Sequence, residues 1–424
     1  MKRDAKIKLL SAIIIIGFSV AVFYHYIQGY YLGNGEPLNS FLFTASDRFN
    51  DFFNMVRSLK GLDPYNYEII PNTNIYFAYP PFGSIFFYPF TFIGKKIALF
   101  IYFAMFLGIW IIFVNKNFSQ SNRVDNAICI FSISFLTYPF LFAVDRANSE
   151  LYIFLLLCGF IFFYNASKNY IQLLSLLSLS LAIAMKVFPA IFLILLVKQK
   201  RWKEILMVIV GAILITFFSL LCFQGSILEN IYAMKRNQDN ISKTYLIAQT
   251  AYGSNLFGLL KVIIAFLVKI TNLGVDFIDK KQLFMNWVSM ANKLYSLLSF
   301  TLLLLTSIYI IAKEKKMWKI AALLVIAINF LIPLSGDYRL LSIFIPLAFF
   351  VNEEKQSKYD LVYVILFGLL LIPKNYFIIP QMTAQGLSIS VILNPLLMLT
   401  LGGLIIKEGL NNKNKRENVI RSLS

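Results

Sequence analysis

The residue types that could do chemistry in this chain are a few charged side chains that interrupt long apolar segments. The first are the carboxylates Asp47 and Asp51, and the others are Asp145, Arg146, Glu150, Lys186, Lys235, Arg236, Lys243, Asp337 and Arg339. A carboxylate can deprotonate a hydroxyl, while arginine and lysine can hold a phosphate leaving group. Assembled at one membrane surface, these groups suit a reaction on an amphipathic substrate with an anionic head.

Each of these residues also has a purely structural explanation. Asp337 and Arg339 could pair with each other, and Lys186 could extend its ammonium group to the membrane surface. The first two carboxylates could lie on a solvated connector between two spans. Their assembly in one place would distinguish a reaction site from these alternatives.

The stretch from Ser46 to Gly61 predicts a helix that carries the first two carboxylates. Ser46 is a favourable N-cap, and Gly61 is a favourable residue just after a helix end. The apolar residues between them recur with helical spacing and are Phe49, Phe52, Phe53, Val56 and Leu59. The carboxylates fall on the opposite side, so we expect an amphipathic helix along the membrane surface with Asp51 facing solvent.

The composition indicates a polytopic, all-α integral membrane protein. Of the 424 residues, 58% are hydrophobic and only 14% are charged, whereas soluble proteins have about 25% charged residues. Apolar runs of about 20 residues, long enough to cross a bilayer as a helix, recur along the chain. The net charge of +18 sits in short runs at segment ends, which favours contact with anionic lipids over nucleic acid. Cysteines and the single histidine lack metal-ligand spacing, so no metal site is predicted.

The basic runs predict about twelve membrane spans with both termini in the cytoplasm. The N-terminal MKRDAKIK precedes an apolar stretch too long for a signal-peptide core, so we expect an uncleaved anchor. Further cytoplasmic runs are 198–203, 313–319, 355–358 and 413–416. The other apolar segments are roughly 80–94, 97–114, 127–143, 150–164, 171–197, 205–223, 255–270, 288–312, 319–334, 340–351, 359–373 and 387–406.

Two runs on the cytoplasmic side must be separated by an even number of membrane crossings. This requirement changes the interpretation of three segments. Segment 255–270 is expected to be an interfacial or re-entrant helix, and segment 171–197 is expected to break at Lys186–Pro189 on the outer side. One of segments 80–94 and 97–114 should not fully cross, and the sequence leaves open which. The charged residues named above then fall on the outer face. The predicted organisation is a single domain over 1–424, with a first outer loop at 33–80, a large outer loop at 224–287 and a basic cytoplasmic tail at 407–424.

Several short motifs follow one another between Asp51 and Leu340. They are Asp51-Phe52-Phe53, Gly61-Leu62-Asp63-Pro64-Tyr65, Tyr79-Pro80-Pro81-Phe82, DRANSE (145–150), AMKVFPAIFLILLVKQKRW (184–202) and PLSGDYRL (333–340). In order and spacing they resemble the GT-C superfamily of membrane glycosyltransferases. They are most similar to glycosyltransferase family 87, the polyprenyl-phosphate-mannose-dependent mannosyltransferases. The resemblance implies a GT-C-like fold with amphipathic helices in the first outer loop.

The resemblance also implies roles for individual residues. Asp51 would be the general base, with Asp47 as the competing candidate on the same face. The residues implied to contact the donor phosphate are Arg146, Lys186 and Arg339. Further site candidates within the matching motifs are Tyr79, Asn148, Glu150 and Asp337. The expected reaction is a single displacement that inverts the anomeric centre and releases a lipid monophosphate.

The resemblance further implies a polyprenyl-phosphate sugar donor and a lipid or glycan acceptor at the extracytoplasmic face of the plasma membrane. Mannose is the family's default sugar, and no residue here establishes it. No metal cofactor is expected, although Asp145 and Glu150 leave a divalent metal open. PLSGDYRL (333–340) resembles the family's Ser-Pro-x-Ser-Trp region, which a histidine often follows. This chain has no histidine there, and Arg339 lies near that position. The alternative function is a transporter, flippase or polymerase of lipid-linked glycans, although no internal repeat typical of transporters is evident.

Overall fold

The computed structural model describes residues 1–42, 47–70, 75–247, 254–271, 277–333, 336–379 and 387–423, which are almost entirely helical. The first nine helices are α1 (Arg3–Tyr26), α2 (Asn50–Ser58), α3 (Pro81–Ile85), α4 (Lys95–Phe118), α5 (Arg123–Phe135), α6 (Tyr138–Arg146), α7 (Glu150–Phe163), α8 (Asn169–Met185) and α9 (Leu193–Lys198). The next eight are α10 (Trp202–Leu221), α11 (Ile227–Ile241), α12 (Leu256–Thr271), α13 (Phe277–Ala312), α14 (Met317–Leu331), α15 (Phe344–Val351), α16 (Asp360–Leu371) and α17 (Ser390–Leu423).

Five helices in the described ranges are long and apolar enough to span a membrane, and a sixth span is possible if a bent pair counts as one. The five cover Arg3–Tyr31, Lys95–Phe118, Trp202–Leu221, Asp279–Ala312 and Ser390–Asn411. The bent pair is α5 with α6, which meet at 47°. Several further apolar helices have only 10–17 residues, so the number of about twelve spans stays a prediction.

Two of the predicted interruptions are present. Helix α8 ends at Met185, and Lys186 adopts an extended conformation before a 3₁₀ segment at Phe188–Phe192, as expected for a break at Pro189. The question left open between segments 80–94 and 97–114 is also answered. Segment 80–94 forms only the five-residue α3 and a 3₁₀ segment at Tyr88–Phe92, because prolines interrupt it. Segment 97–114 lies within the 24-residue α4.

The predicted cytoplasmic runs lie together at one end of the molecule. The terminal amine of Met1 is 2.8 Å from Asp360 Oδ2, and Lys198 Nζ donates to the carbonyl oxygen of Glu314 across 2.7 Å. In the same region Lys319 Nζ is 3.0 Å from Glu408 Oε2. Convergence of these segments is what the predicted topology requires, and the side of the membrane remains a prediction.

The segment predicted as the first outer loop, residues 33–80, differs from the prediction at its start. Helix α2 begins at Asn50 rather than near Ser46, which lies outside the described residues, and the residue before it is Phe49 in a left-handed conformation with φ 56°. The apolar face of α2 packs on protein rather than on lipid: the Phe52 ring is 5.0 Å from Tyr102 and 5.5 Å from Phe90, centroid to centroid. Each such aromatic pair contributes about 0.5–1.5 kcal/mol beyond its buried area. The helix is therefore anchored rather than loosely attached to the membrane surface.

Two short antiparallel hairpins were not predicted. In the first outer loop β1 (Glu68–Ile70) pairs with β2 (Ile75–Tyr76), and near the C-terminus β3 (Phe377–Ile379) pairs with β4 (Leu387–Ser388). The first hairpin follows a 3₁₀ turn at Pro64–Asn66. Strands of two or three residues are too short for the alternation of apolar and polar residues to identify them.

Candidate functional site

The centre of the charged region is the contact between α2 and the C-terminal end of α6. The guanidinium of Arg146 forms ion pairs with both Asp47 and Asp51, through Nη1 and Nη2 respectively. Arg146 Nη1 also donates to the carbonyl oxygen of Asp47 across 3.2 Å. The backbone N–H of Phe49 donates to the carbonyl oxygen of Asp145 across 2.7 Å. One arginine therefore holds both carboxylates that the sequence predicts as candidate bases. Asp51 does not face solvent as predicted, because its side chain is only 15% exposed and pairs with Arg146.

The backbone makes this contact through two left-handed residues. Phe49, with φ 56°, starts α2, and Ala147, with φ 49°, ends α6. A left-handed conformation is costly for residues other than glycine, so the packing around both residues must impose it. The reversal at Ala147 is closed by the N–H of Asn148, which donates to Ala143 O across 3.1 Å, and α7 then begins at Glu150. Three candidate site side chains, those of residues 146, 148 and 150, thus project from one tight turn.

Asn148 links the acidic part of the site to its basic part. Its side-chain Nδ2 donates to Asp51 Oδ2 across 2.5 Å. Its Oδ1 accepts from the backbone N–H of Glu150 at 2.9 Å and lies 3.4 Å from Lys186 Nζ. The residue is fully buried. Because every polar atom of the amide group is engaged, its orientation is assigned by its neighbours.

The basic part of the site is built around the buried carboxylate of Glu150. Lys186 Nζ is 2.8 Å from Glu150 Oε1, and Arg339 Nε is 3.6 Å from the same oxygen. The Glu150 side chain is 1% exposed. Lys186 therefore has a buried ion-pair partner and does not merely extend to the membrane surface. A buried charge is costly unless it is paired, so the carboxylate stabilises both cations.

Aromatic rings surround these two cations. Lys186 Nζ lies 5.4 Å from the ring centroid of Tyr79 and 5.6 Å from that of Tyr338. The Arg339 guanidinium carbon lies 4.7 Å from the ring centroid of Phe188. Burial raises the pKa of the Tyr79 hydroxyl well above its ordinary value, so this group is a neutral hydrogen-bond donor near pH 7. Sequence reasoning missed Tyr338, which lies between Asp337 and Arg339, and Phe188, which follows Lys186 by two positions.

Arg339 retains hydrogen-bonding capacity. Within the described part of the chain, its Nε and Nη1 atoms are buried and have no hydrogen-bond partner. Buried guanidinium donors of this kind are nearly always satisfied in native proteins. The guanidinium of Arg339, buried beside Lys186, therefore has N–H groups that could donate to an anionic group of a substrate.

Asp337 is the one site candidate that lies apart from this cluster. The sequence allowed an ion pair between Asp337 and Arg339, but Arg339 pairs with Glu150 instead. Residues two apart in a 3₁₀ segment, here Asp337–Ile343, do not share a face, since such a helix has three residues per turn. The carboxylate of Asp337 accepts a hydrogen bond from the hydroxyl of Ser254, which in turn accepts one from Asn394 Nδ2 at 3.1 Å. Burial raises the pKa of Asp337 and lowers that of nearby Lys374 to about 7.

The other acidic candidate for a metal, Asp145, has its own partner. Its Oδ1 is 3.5 Å from Arg48 Nε. Among the described residues, no group of three or more histidine, cysteine, aspartate or glutamate side chains is placed to hold a metal ion. The single histidine, His25, packs in α1 with Nδ1 2.7 Å from Leu38 O, in line with the predicted structural role.

Comparison with known protein families matches residues 77–332 of the chain to glycosyltransferase family 87. The match covers more than half of the chain and includes Tyr79, Arg146, Asn148, Glu150 and Lys186. Asp47 and Asp51 precede the matched residues, and Arg339 follows them. Neither the comparison with curated proteins nor that with solved structures gives a significant match. The chain belongs to glycosyltransferase family 87, and it is a membrane glycosyltransferase.

Proposed function

We propose that this protein transfers a hexose from a polyprenyl-phosphate sugar to a hydroxyl of a lipid or glycan acceptor, at the extracytoplasmic face of the cell membrane. The family default, mannose, is the proposed sugar. The observation that carries the proposal is the continuous contact from Asp51 through Asn148 to Lys186, Glu150 and Arg339. It places a carboxylate next to a pair of buried cations, the combination that deprotonation of a hydroxyl and departure of a phosphate require.

Asp51 is the proposed general base. It would take the proton of the acceptor hydroxyl while that oxygen forms a bond to the anomeric carbon of the donor. The bond between the anomeric carbon and the phosphate oxygen breaks with its electron pair going to the phosphate. Attack opposite to the leaving group inverts the anomeric centre and releases a lipid monophosphate.

The contacts favour Asp51 over Asp47 for this role. The Asp51 side chain is 15% exposed and is joined through Asn148 to the cation pair. The Asp47 side chain is 35% exposed and accepts a second hydrogen bond from Asn50 Nδ2 at 2.9 Å. Arg146 binds both, so we assign Asp47 to holding Arg146 in place and Asp51 to proton transfer.

Of the three residues expected to contact the donor phosphate, Lys186 and Arg339 are proposed to bind it, whereas Arg146 is engaged by Asp47 and Asp51. They share one carboxylate, Glu150, so their two positive charges are only partly compensated. A phosphate oxygen would satisfy the free Nη1 of Arg339 with a charge-assisted hydrogen bond. As the phosphate leaves, it gains negative charge, and these cations then stabilise the transition state more than the ground state.

Single amide substitutions of the two carboxylates test the proposal. Membranes that contain the Asp51→Asn variant should transfer radiolabelled sugar from a polyprenyl-phosphate donor about 10²–10⁴ times more slowly, the usual contribution of a general base. Asp47→Asn, the matched control at the carboxylate just before α2, should be affected far less. Full activity of Asp51→Asn would remove the base assignment, and loss only in Asp47→Asn would transfer it to that residue.

Family membership favours glycosyl transfer over the alternative of a transporter, flippase or polymerase of lipid-linked glycans. We also propose that the reaction uses no resident metal, since Asp145 and Glu150, the acidic residues considered as ligands, have Arg48 and Lys186 as partners.

A further inference from the structure

A polar cleft of about 680 Å³ lies between the turn after α2 and the first turns of α11, in the first and the large outer loops. Its polar lining consists of Asp63, Asn66, Gln224, Glu229, Asn230 and Arg236, with Tyr232 beside them. This volume is within the range of small-molecule binding sites, about 300–1,000 Å³. None of the residues in the lining belongs to the cluster around Asp51 and Glu150.

We infer that this cleft binds the remote sugar residues of a glycan acceptor. Carboxylate, amide and guanidinium groups around one exposed aromatic ring can bond sugar hydroxyls and cover an apolar sugar face. The lining carries two carboxylates, Asp63 and Glu229, against one cation, Arg236. This balance disfavours an anionic lipid headgroup and suits a neutral ligand rich in hydroxyls.

Two side chains at the cleft, those of Arg236 and Tyr232, are available for a ligand. Arg236 donates through Nε to Asn237 Oδ1 at 3.4 Å, and its Nη groups make no hydrogen bond to the described residues. Tyr232 is 70% exposed, although it is a large aromatic side chain. A tyrosine ring can cover the apolar face of a sugar, while guanidinium N–H groups donate to sugar hydroxyls.

The walls of the cleft are held firmly. Asn237, which is fully buried, donates through Nδ2 to Tyr65 O at 2.7 Å and to Phe77 O at 2.9 Å, and so fastens α11 to the first hairpin. The backbone N–H of Gln224 donates to Leu62 O across 2.8 Å. A site with fixed walls loses little conformational entropy when a ligand binds.

The cleft and the proposed reaction centre share structural elements. Helix α2 carries Asp51 near its start and leads, from Ser58 onward, into the turn that forms one wall of the cleft. Asp51 and Ser58 are seven residues apart, about 10 Å along a helix axis. On the other side the hydroxyl of Tyr65 donates to Tyr79 O at 3.1 Å, and the Tyr79 ring contacts Lys186. An acceptor of several sugars could occupy the cleft while its terminal hydroxyl reaches Asp51.

This inference rests on the proposed function, and a binding experiment separates the two. The probes are mannotetraose, maltotetraose and the monosaccharide methyl α-mannoside, added to the purified Asp51→Asn protein in detergent. We expect at least one tetrasaccharide to bind and the monosaccharide to bind far more weakly. Tyr232→Ala and Arg236→Gln should each weaken tetrasaccharide binding about tenfold, the loss expected for one or two hydrogen bonds or an aromatic contact.

The matched control is Lys235→Gln, an exposed neighbour on α11 that does not line the cleft, and it should leave binding unchanged. No binding of either tetrasaccharide, or binding that Tyr232→Ala and Arg236→Gln leave intact, would overturn the inference. So would competition by vesicles that contain phosphatidylglycerol, which would indicate a lipid headgroup site. Because the assay needs no turnover, its result does not depend on whether Asp51 is the base.

Discussion

The side-chain amide of Asn148 donates a hydrogen bond to Asp51 Oδ2 across 2.5 Å, although the two residues are 97 positions apart in sequence. The same side chain contacts Lys186 through its Oδ1. The orientation of the proposed base is therefore coupled to the position of a proposed phosphate-binding cation. Three predictions test how this site and its surroundings depend on charge.

Replacing Asn148 by aspartate should change the pH dependence of transfer. The Asn148→Asp variant places a further carboxylate against Asp51, and repulsion between like charges favours the protonated form. A protonated carboxyl group cannot act as base, so the acidic limb of the kcat/KM profile should move upward by about one pH unit. The measurement is the initial rate of sugar transfer between pH 4 and 8.

The control for this experiment is Ser149→Ala. Ser149 is the next residue and is equally buried, and its hydroxyl has no hydrogen-bond partner in the described ranges. The acidic limb of the kcat/KM profile of Ser149→Ala should lie at the same pH as that of the wild type. If the acidic limb of Asn148→Asp lies at the wild-type pH, Asn148 does not influence the protonation of the base and has a structural role only.

Removing the negative charge of Glu150 should destabilise the unliganded protein. In the Glu150→Gln variant Lys186 and Arg339 lose their shared carboxylate, and leaving buried charges unpaired costs about 3–5 kcal/mol. A polyprenyl monophosphate without sugar should then raise the melting temperature of this variant more than that of the wild type, because the phosphate replaces the missing charge. Thermal unfolding in detergent, with and without the lipid phosphate, measures both effects.

A partly exposed ion pair gives the comparison for Glu150. The pair between Arg201 and Glu204 is 3.2 Å long at side-chain exposures of 15% and 27%. The Glu204→Gln variant should lose less than about 1 kcal/mol and should gain nothing from the lipid phosphate. Equal stabilisation of wild type and Glu150→Gln by the lipid would contradict the assignment of Lys186 and Arg339 to phosphate binding.

Lys374 should make the stability of the protein depend on pH above neutrality. Burial lowers the pKa of Lys374 to about 7 from its ordinary value of 10.5, while Asp337 opposes this shift. Between these two pH values the unfolded chain binds a proton that the folded protein does not, so stability rises with pH across that window. The Lys374→Met variant should lack this rise in the free energy of unfolding, as measured by melting temperatures from pH 7 to pH 10.

An exposed lysine provides the reference for this window. Lys60→Met removes a charge from the surface just after α2 and should keep the wild-type slope of stability against pH. Identical slopes for wild type and Lys374→Met would show that Lys374 does not titrate in the folded protein near pH 7.

The amino-acid sequence by itself determined the class of protein, the family and the list of charged residues. Apolar runs, basic segment ends and the proline at 189 act over a few residues, so the break after Met185 and the helix that bears Asp51 followed from local pattern. Burial of the Phe52 and Leu59 face followed as well, because helical spacing alone places those residues on one side.

Only the tertiary structure decided which charges meet. Asp337 and Arg339, two residues apart, contact different partners, whereas Glu150 and Arg339 approach within 3.6 Å from separate helices. The start of α2 at Asn50 likewise depends on the N–H of Phe49 bonding to Asp145 O. Such contacts depend on how distant helices pack, and a sequence pattern carries no direct record of packing between segments a hundred residues apart.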